Sequence, residues 1–191
     1  MPEPPPPPPV LPAVDPLGQL GAITTFAGDE LRGAALTGIH LPSVDASGTA
    51  RGTAEVSVRR PVATVGASAC AGRVTLATDG LTWSDPGGAD ACAAPLLALP
   101  TCTLAEVVTR MPARGETWAN GATVSLTYRV RTGAAPAEAP AGRPAPSTKR
   151  LPGEWLVETL DRTVTVNDDC KPPPKPRPVA TPPRDRPRRP R

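Results

Sequence analysis

Proline decides first where this chain can fold. Nine of its 29 prolines fall within Met1–Pro16 and nine more within Lys171–Arg191. Proline fixes φ, offers no backbone N–H, and is excluded from helix interiors and central strands. Both ends are therefore expected to be disordered proline-rich arms, residues 1–16 and 171–191. Leu17 to Cys170 is left as the folding unit, a length that suits one domain around one core.

That core has to be made from modest side chains. Leu, Val, Ile and Phe together supply 35 of 191 residues, and aromatic residues only 3%. Such values can mark disorder when net charge is high, but here it is only +3. The middle reads as foldable, with Leu, Val and Ala inside, and so thin a core would be helped by cross-links.

Period-two alternation is the clearest local signal. From Thr123 to Arg131, Val124, Leu126, Tyr128 and Val130 alternate with polar neighbours, which predicts a half-buried strand. Gly52–Arg60 repeats the pattern with Ala54, Val56 and Val58 inward. Arg73–Thr78 and Leu81–Trp83 flank Asp79-Gly80, a pair suited to the two positive-φ positions of a type I′ hairpin. Further strands are predicted at Gly21–Ala27, Ala34–Leu41, Thr103–Met111 and Trp155–Val166. In Thr103–Met111 the spacing of Leu104, Val107, Val108 and Met111 also fits a helical stripe. About eight strands at this spacing suggest an all-β fold, an antiparallel β-sandwich of immunoglobulin-like or jelly-roll-like type. The Ala/Pro-rich stretch 133–153 reads as a mobile loop between two strands.

Four cysteines, Cys70, Cys92, Cys102 and Cys170, stand far apart in sequence. Zinc sites pair their ligands a few residues apart, so this spacing argues against a metal; an even count favours two disulfides, with buried free thiols the alternative. Ala93–Thr101, with Pro95 and Pro100, can fold back on itself. Cys92–Cys102 is therefore the expected short bridge, which leaves Cys70 to pair with Cys170.

Catalytic chemistry finds little support. His40 is the only histidine and has no serine or cysteine motif beside it. The paired carboxylates Asp29-Glu30 and Asp168-Asp169 fall at predicted strand ends, where acidic residues serve turns and solubility. Asp85–Asp90 and Asn167–Asp169 match no calcium loop, and there is no glycine-rich phosphate loop. The chain is read as non-enzymatic, with no catalytic, cofactor-binding or metal residue assigned.

The arms suggest partners instead. Pro4–Pro9 predicts a polyproline II rod, either a stiff spacer or a ligand for an aromatic protein groove. The tail carries Lys171, Lys175, Arg177, Arg184, Arg186, Arg188, Arg189 and Arg191 against a single Asp185, a net +7. Eight cations on a mildly acidic remainder could attach to nucleic acid or another anionic surface. Arg184-Asp185-Arg186-Pro187 is similar to a minor-groove AT-hook, with Asp185 where that loop has glycine.

Two short likenesses complete the reading. The interval from Cys70 to Trp83 resembles that between the first cysteine and core tryptophan of immunoglobulin domains, although no cysteine follows Tyr128 by two residues. Gly21–Gly28 resembles the opening of phage tail-collar domains over eight residues, without their tryptophan-containing continuation. Neither assigns a family. Met1–Pro9 has no basic n-region or apolar h-region, and Ala91–Ala105, the longest uncharged stretch of interest, is broken by two prolines. The missing leader conflicts with the disulfides: either the chain is cytosolic with its thiols reduced, or it leaves by a route that needs no standard signal. An extracellular, cell-surface or virion-type structural or binding protein is the favoured reading, and an adaptor that engages a polyanion through its tail is the alternative.

Overall fold

A computed structural model describes residues 11–61, 70–85, 89–111, 122–133, 148–160 and 162–170. The polyproline run, most of the 133–153 stretch and the basic tail lie outside these residues. Along the chain come β1 (Ala13–Val14), α1 (Leu20–Glu30), β2 (Ala35–Val44), β3 (Ala50–Arg51), β4 (Ala54–Arg59), β5 (Ala71–Ala77) and β6 (Gly80–Ser84). They are followed by α2 (Ala89–Ala93), α3 (Leu104–Thr109), β7 (Val124–Val130), β8 (Gly153–Glu158) and β9 (Thr163–Asn167).

The described strands form one open antiparallel sheet ordered β6-β5-β4-β2-β7-β8-β9, with β3 and β1 appended beside β2. β2 is its spine. A meander of β4, β5 and β6 extends to one side, and a meander of β7, β8 and β9 to the other. Register aligns the apolar alternations: Ile39 lies opposite both Val56 and Tyr128, Val56 opposite Val74, and Tyr128 opposite Trp155. All these side chains share one inner face and are buried. β2 breaks register twice, between Leu36 and Gly38 and between Leu41 and Val44, and Pro42 falls in the second irregularity, where a strand tolerates it.

Helices and an extended segment, not a second sheet, supply the layer over the inner face. The sandwich expected from strand count is therefore not what the described residues form. Two stretches account for the difference. Gly21–Ala27, expected as a strand, lies within α1, because Leu20, Ile23 and Ala27 make one buried stripe that packs toward β5 and β6. Its β-forming threonines are accommodated: Thr24 and Thr25 hydroxyls donate to the Leu20 and Gly21 carbonyls within the helix. Thr103–Met111 takes the helical alternative, with Leu104, Val107 and Val108 buried. Thr103 and Glu106 close a reciprocal capping box at its start, with N–H bonds of 3.2 and 2.8 Å.

Smaller differences follow from turns. Trp155–Val166 is a hairpin, not one strand, bent between Thr159 and Arg162, whose backbone bond measures 2.9 Å. The β5–β6 turn is centred on Thr78-Asp79, one residue earlier than expected, with Gly80 at φ 132° opening β6. Ala13–Val14, assigned to the N-terminal arm from composition, pair with β3. The strands expected at Gly52–Arg60, Ala34–Leu41 and Thr123–Arg131 form as β4, β2 and β7.

With so few aromatics, the core leans on the contact of Tyr128 with Trp155, whose rings are 4.9 Å apart at 44°. Gly153 gives Tyr128 its space: a Cβ there would stand 2.0 Å from the phenol ring. Gly28, in contrast, has open space around it in α1. Gly153→Ala is expected to cost about 2 kcal/mol or more through overpacking. Gly28→Ala should gain up to about 1 kcal/mol of helix propensity. Urea denaturation of both variants reads the difference, and equal effects would contradict this packing.

Candidate functional site

The cysteines form two disulfides, in a different pairing from the one expected. Cys70 joins Cys92 with Cα atoms 5.4 Å apart, and Cys102 joins Cys170 at 4.9 Å. The short Cys92–Cys102 bridge fails because the segment between them does not fold back. It runs outstretched across the sheet end, where Leu97 N–H donates to the Leu36 carbonyl and Leu96 and Ala98 bond to Leu151. Cys102 is thereby carried to the end of β9, beside Cys170. In the entropy account of cross-linking, closing separations of 22 and 68 residues restricts the unfolded chain by about 3 and 4 kcal/mol respectively.

Asp168 organises the residues around that second bridge. Its carboxylate accepts from Thr101 N–H at 2.7 Å, Cys102 N–H at 2.9 Å, Thr101 Oγ1 at 3.2 Å, Tyr128 Oη at 3.3 Å and Trp155 Nε1 at 3.3 Å. The Tyr128 hydroxyl is also 3.2 Å from the Ala98 carbonyl. Burial, reinforced by the negative Asp168, pushes the Tyr128 phenol far above its ordinary range, so it serves here as a neutral donor. Its sequence neighbour Asp169 is exposed and pairs with Arg110 of α3. The acidic pair seen in the sequence thus has one inward and one outward member, and neither faces a second carboxylate.

The outer face of the sheet is polar. Across its centre run Thr82, Thr75, Glu55, His40, Thr127, Leu156 and Thr165, positions fixed by the strand registers, with the half-buried Leu156 the one apolar member of the row. His40 Nδ1 lies 3.1 Å from Thr127 Oγ1, a cross-strand contact that accounts for its place in the fold. Beside this row Arg73 pairs with Glu55 at 3.2 Å. Glu154 is almost fully buried on the same face: burial opposes its charge, but Thr132 N–H and hydroxyl and the Arg129 guanidinium hold its carboxyl below the ordinary range. At one end of the face the Arg59 guanidinium is buried, donating to the Ala94 and Arg60 carbonyls.

An open groove of about 930 Å³ lies between β1, the approach to α1, the β2–β3 turn and the β5–β6 hairpin. Leu17, Leu76, Leu81 and Leu104 contribute to it, and the carboxylate of Asp15 beside them accepts from Gly18 N–H. The adjoining turn is fixed by Asp45, which accepts from Ser47 N–H at 2.9 Å, Ser47 Oγ at 2.5 Å, Thr49 N–H at 3.1 Å and Arg51 Nε at 2.8 Å. Burial raises the Asp45 carboxyl, but these donors outweigh it and bring the pKa from 3.8 to about 2. Gly48, at φ 79°, lets this turn meet the backbone of Ala105.

Among the described residues, no group of three or more His, Cys, Asp or Glu is arranged to hold a metal ion. Among the same residues no helix is long and apolar enough to cross a membrane. The tail cations singled out in the sequence lie outside the described residues. Sequence reasoning gave Asp168 no special weight, and its only local signal was the Asn-Asp-Asp-Cys run that ends the last strand. The chain matches no protein-family profile, no characterised protein and no solved structure.

Two predictions arise from these carboxylates. Asp168→Asn removes an acceptor facing several donors and is expected to cost about 2–3 kcal/mol, whereas Asp169→Asn, at an exposed pair, should cost less than about 1 kcal/mol. Thermal or urea unfolding distinguishes them. Because the folded pKa of Asp45 lies below its unfolded value, its stabilisation is present above about pH 4 and disappears as pH falls toward about 2. The urea midpoint should decline across that window, and Asp45→Asn should weaken the decline.

Proposed function

We propose that the chain is a non-enzymatic structural or binding module, a component of an extracellular, cell-surface or virion-type assembly. The observation that carries this reading is the architecture of the outer face: a seven-stranded polar surface on a scaffold closed by two disulfides. Thr75, Thr127 and Thr165 present short hydroxyl side chains from a rigid sheet, the kind of surface on which a partner can be read by register and hydrogen bonding. Meanwhile the buried Glu154 and Arg59 and the half-buried Asp168 are bonded within the fold. The proline-rich arms extend its reach toward further components.

A second reading rests on the charge of the tail. Lys171–Arg191 carries +7 while the whole chain carries +3, so the remainder is acidic. Such a tail would attach the module to nucleic acid or another polyanion without base-specific contacts.

Isolation of the native protein tests both. Under the first reading it is recovered in fixed stoichiometry within a particle or envelope fraction, and Thr165→Arg, at an exposed position of the same row, reduces that recovery while changing stability by less than about 0.5 kcal/mol. Recovery as a free chain without a stoichiometric partner would overturn it. Under the second, retention on phosphocellulose falls steeply with salt and disappears when Lys171–Arg191 is removed.

A further inference from the structure

The two disulfides occupy unlike surroundings. Cys102 and Cys170 are 2% and 5% exposed, enclosed beside the Asp168 cluster. Cys70 and Cys92 are only half-buried. Cys70 sits where β4 and β5 end their pairing, its carbonyl accepting from Arg60 N–H at 2.9 Å. Cys92 belongs to α2, a five-residue helix far too short to persist without tertiary support.

The position of α2 gives this bridge a consequence. Ala35, Arg59 and Ala71 lie side by side at one end of the outer face, Ala35 opposite Arg59 and Arg59 opposite Ala71. Elsewhere on that face side chains such as Thr75 and His40 are half-exposed, but these three are 5%, 2% and 5% exposed. α2 packs against β5, and the carbonyl of Ala94 just after it receives the Arg59 Nε–H. The α2 segment therefore caps this end of the sheet. Burial lowers the pKa of the Arg59 guanidinium, a mark of how far the cap removes it from water. A few residues further on, the chain is held independently of the disulfide: Leu97 N–H donates to Leu36 and Leu151 N–H to Leu96, both at 2.8 Å.

We infer that Cys70–Cys92 is a reducible latch on this cap, while Cys102–Cys170 is a permanent structural bond. A thiolate of a small dithiol attacks one sulfur of Cys70–Cys92, breaking the S–S bond and forming a mixed disulfide. The second thiol of the reagent displaces the remaining cysteine. Two electrons and two protons pass to the protein, which gains two thiols, and the reductant becomes a cyclic disulfide. Attack requires approach along the S–S axis, which the half-buried pair permits and the enclosed pair resists. Once opened, α2 keeps its contacts to β5 and the Arg59–Ala94 hydrogen bond but loses its covalent tie to the end of the β4–β5 pair. It separates up to Leu96, uncovering the Ala35–Arg59–Ala71 row and its cation, with the sheet intact.

Partial reduction of the full-length oxidised chain with dithiothreitol, followed by iodoacetamide and mass mapping, tests the latch. Cys70 and Cys92 are expected to label roughly tenfold faster than Cys102 and Cys170. Sheet circular dichroism should persist, and amide exchange should rise selectively across 89–94. Equal labelling rates, prior labelling of Cys102 and Cys170, or loss of the sheet signal together with Cys70 labelling would each overturn the inference. The Cys70→Ser/Cys92→Ser double variant should fold and melt cooperatively, showing the raised exchange without any reductant. Failure of that variant to fold would equally overturn it, since the bond would then be structural.

Discussion

A single carboxylate resolves the main difficulty of this core. Tyr128 and Trp155 are the fully buried aromatic side chains among the described residues, and each carries a polar atom into the interior. Left without partners, the phenol and indole would cost a good part of the free energy their burial provides. Asp168 accepts from both, and from the backbone N–H groups of Thr101 and Cys102 on the way into α3. Three things that lie far apart in the chain are thereby fixed together: the β7–β8 pair, the extended segment leading to α3, and the end of β9. The Cys102–Cys170 bond then covalently closes what the carboxylate has aligned.

The one-sided sheet follows from how much apolar side chain is available. Alternating Val, Leu and Ala supply one apolar face, and α1, α3 and the Leu96–Leu97 segment are enough to cover it. The opposite face is mostly Thr, Ser, Arg, Glu and His, with Leu156 and a few alanines among them and cross-strand pairs such as His40–Thr127, Arg73–Glu55 and Arg129–Glu154. Antiparallel sheets commonly take this form, one face on the core and the other toward water. Here it leaves a broad regular surface whose ends differ: one lies beneath the α2 cap, and the other carries the Arg129–Glu154–Thr132 cluster.

The strands were legible where their pattern is local. In Thr123–Arg131 and Gly52–Arg60 side chains alternate between faces, and period two is a property of the extended chain itself. The Arg73–Trp83 hairpin was legible for the same reason, although its turn is one residue earlier, because strand pairing sets the register and Gly80 serves the start of β6. Gly21–Ala27 misled because Ile, Thr and Phe favour strands in isolation. The 3- and 7-residue spacing of Leu20, Ile23 and Ala27 was present, but it gains meaning only when β5 and β6 offer a surface to that stripe.

The cysteine count announced two bridges; the partners depended on the path of residues 94–101, which runs along the sheet rather than back on itself. In the same way, Asp168 and Asp169 are chemically identical neighbours in the sequence. One became the centre of a half-buried network and the other an exposed ion pair, since side chains at adjacent positions of extended chain point in opposite directions. Proline placement, charge asymmetry and alternating strands need only near neighbours along the chain, so the sequence displays them. Bridge partners, helix against strand in α1, and the role of a carboxylate depend on groups brought close from tens of residues away, and those distances exist only once the chain has folded.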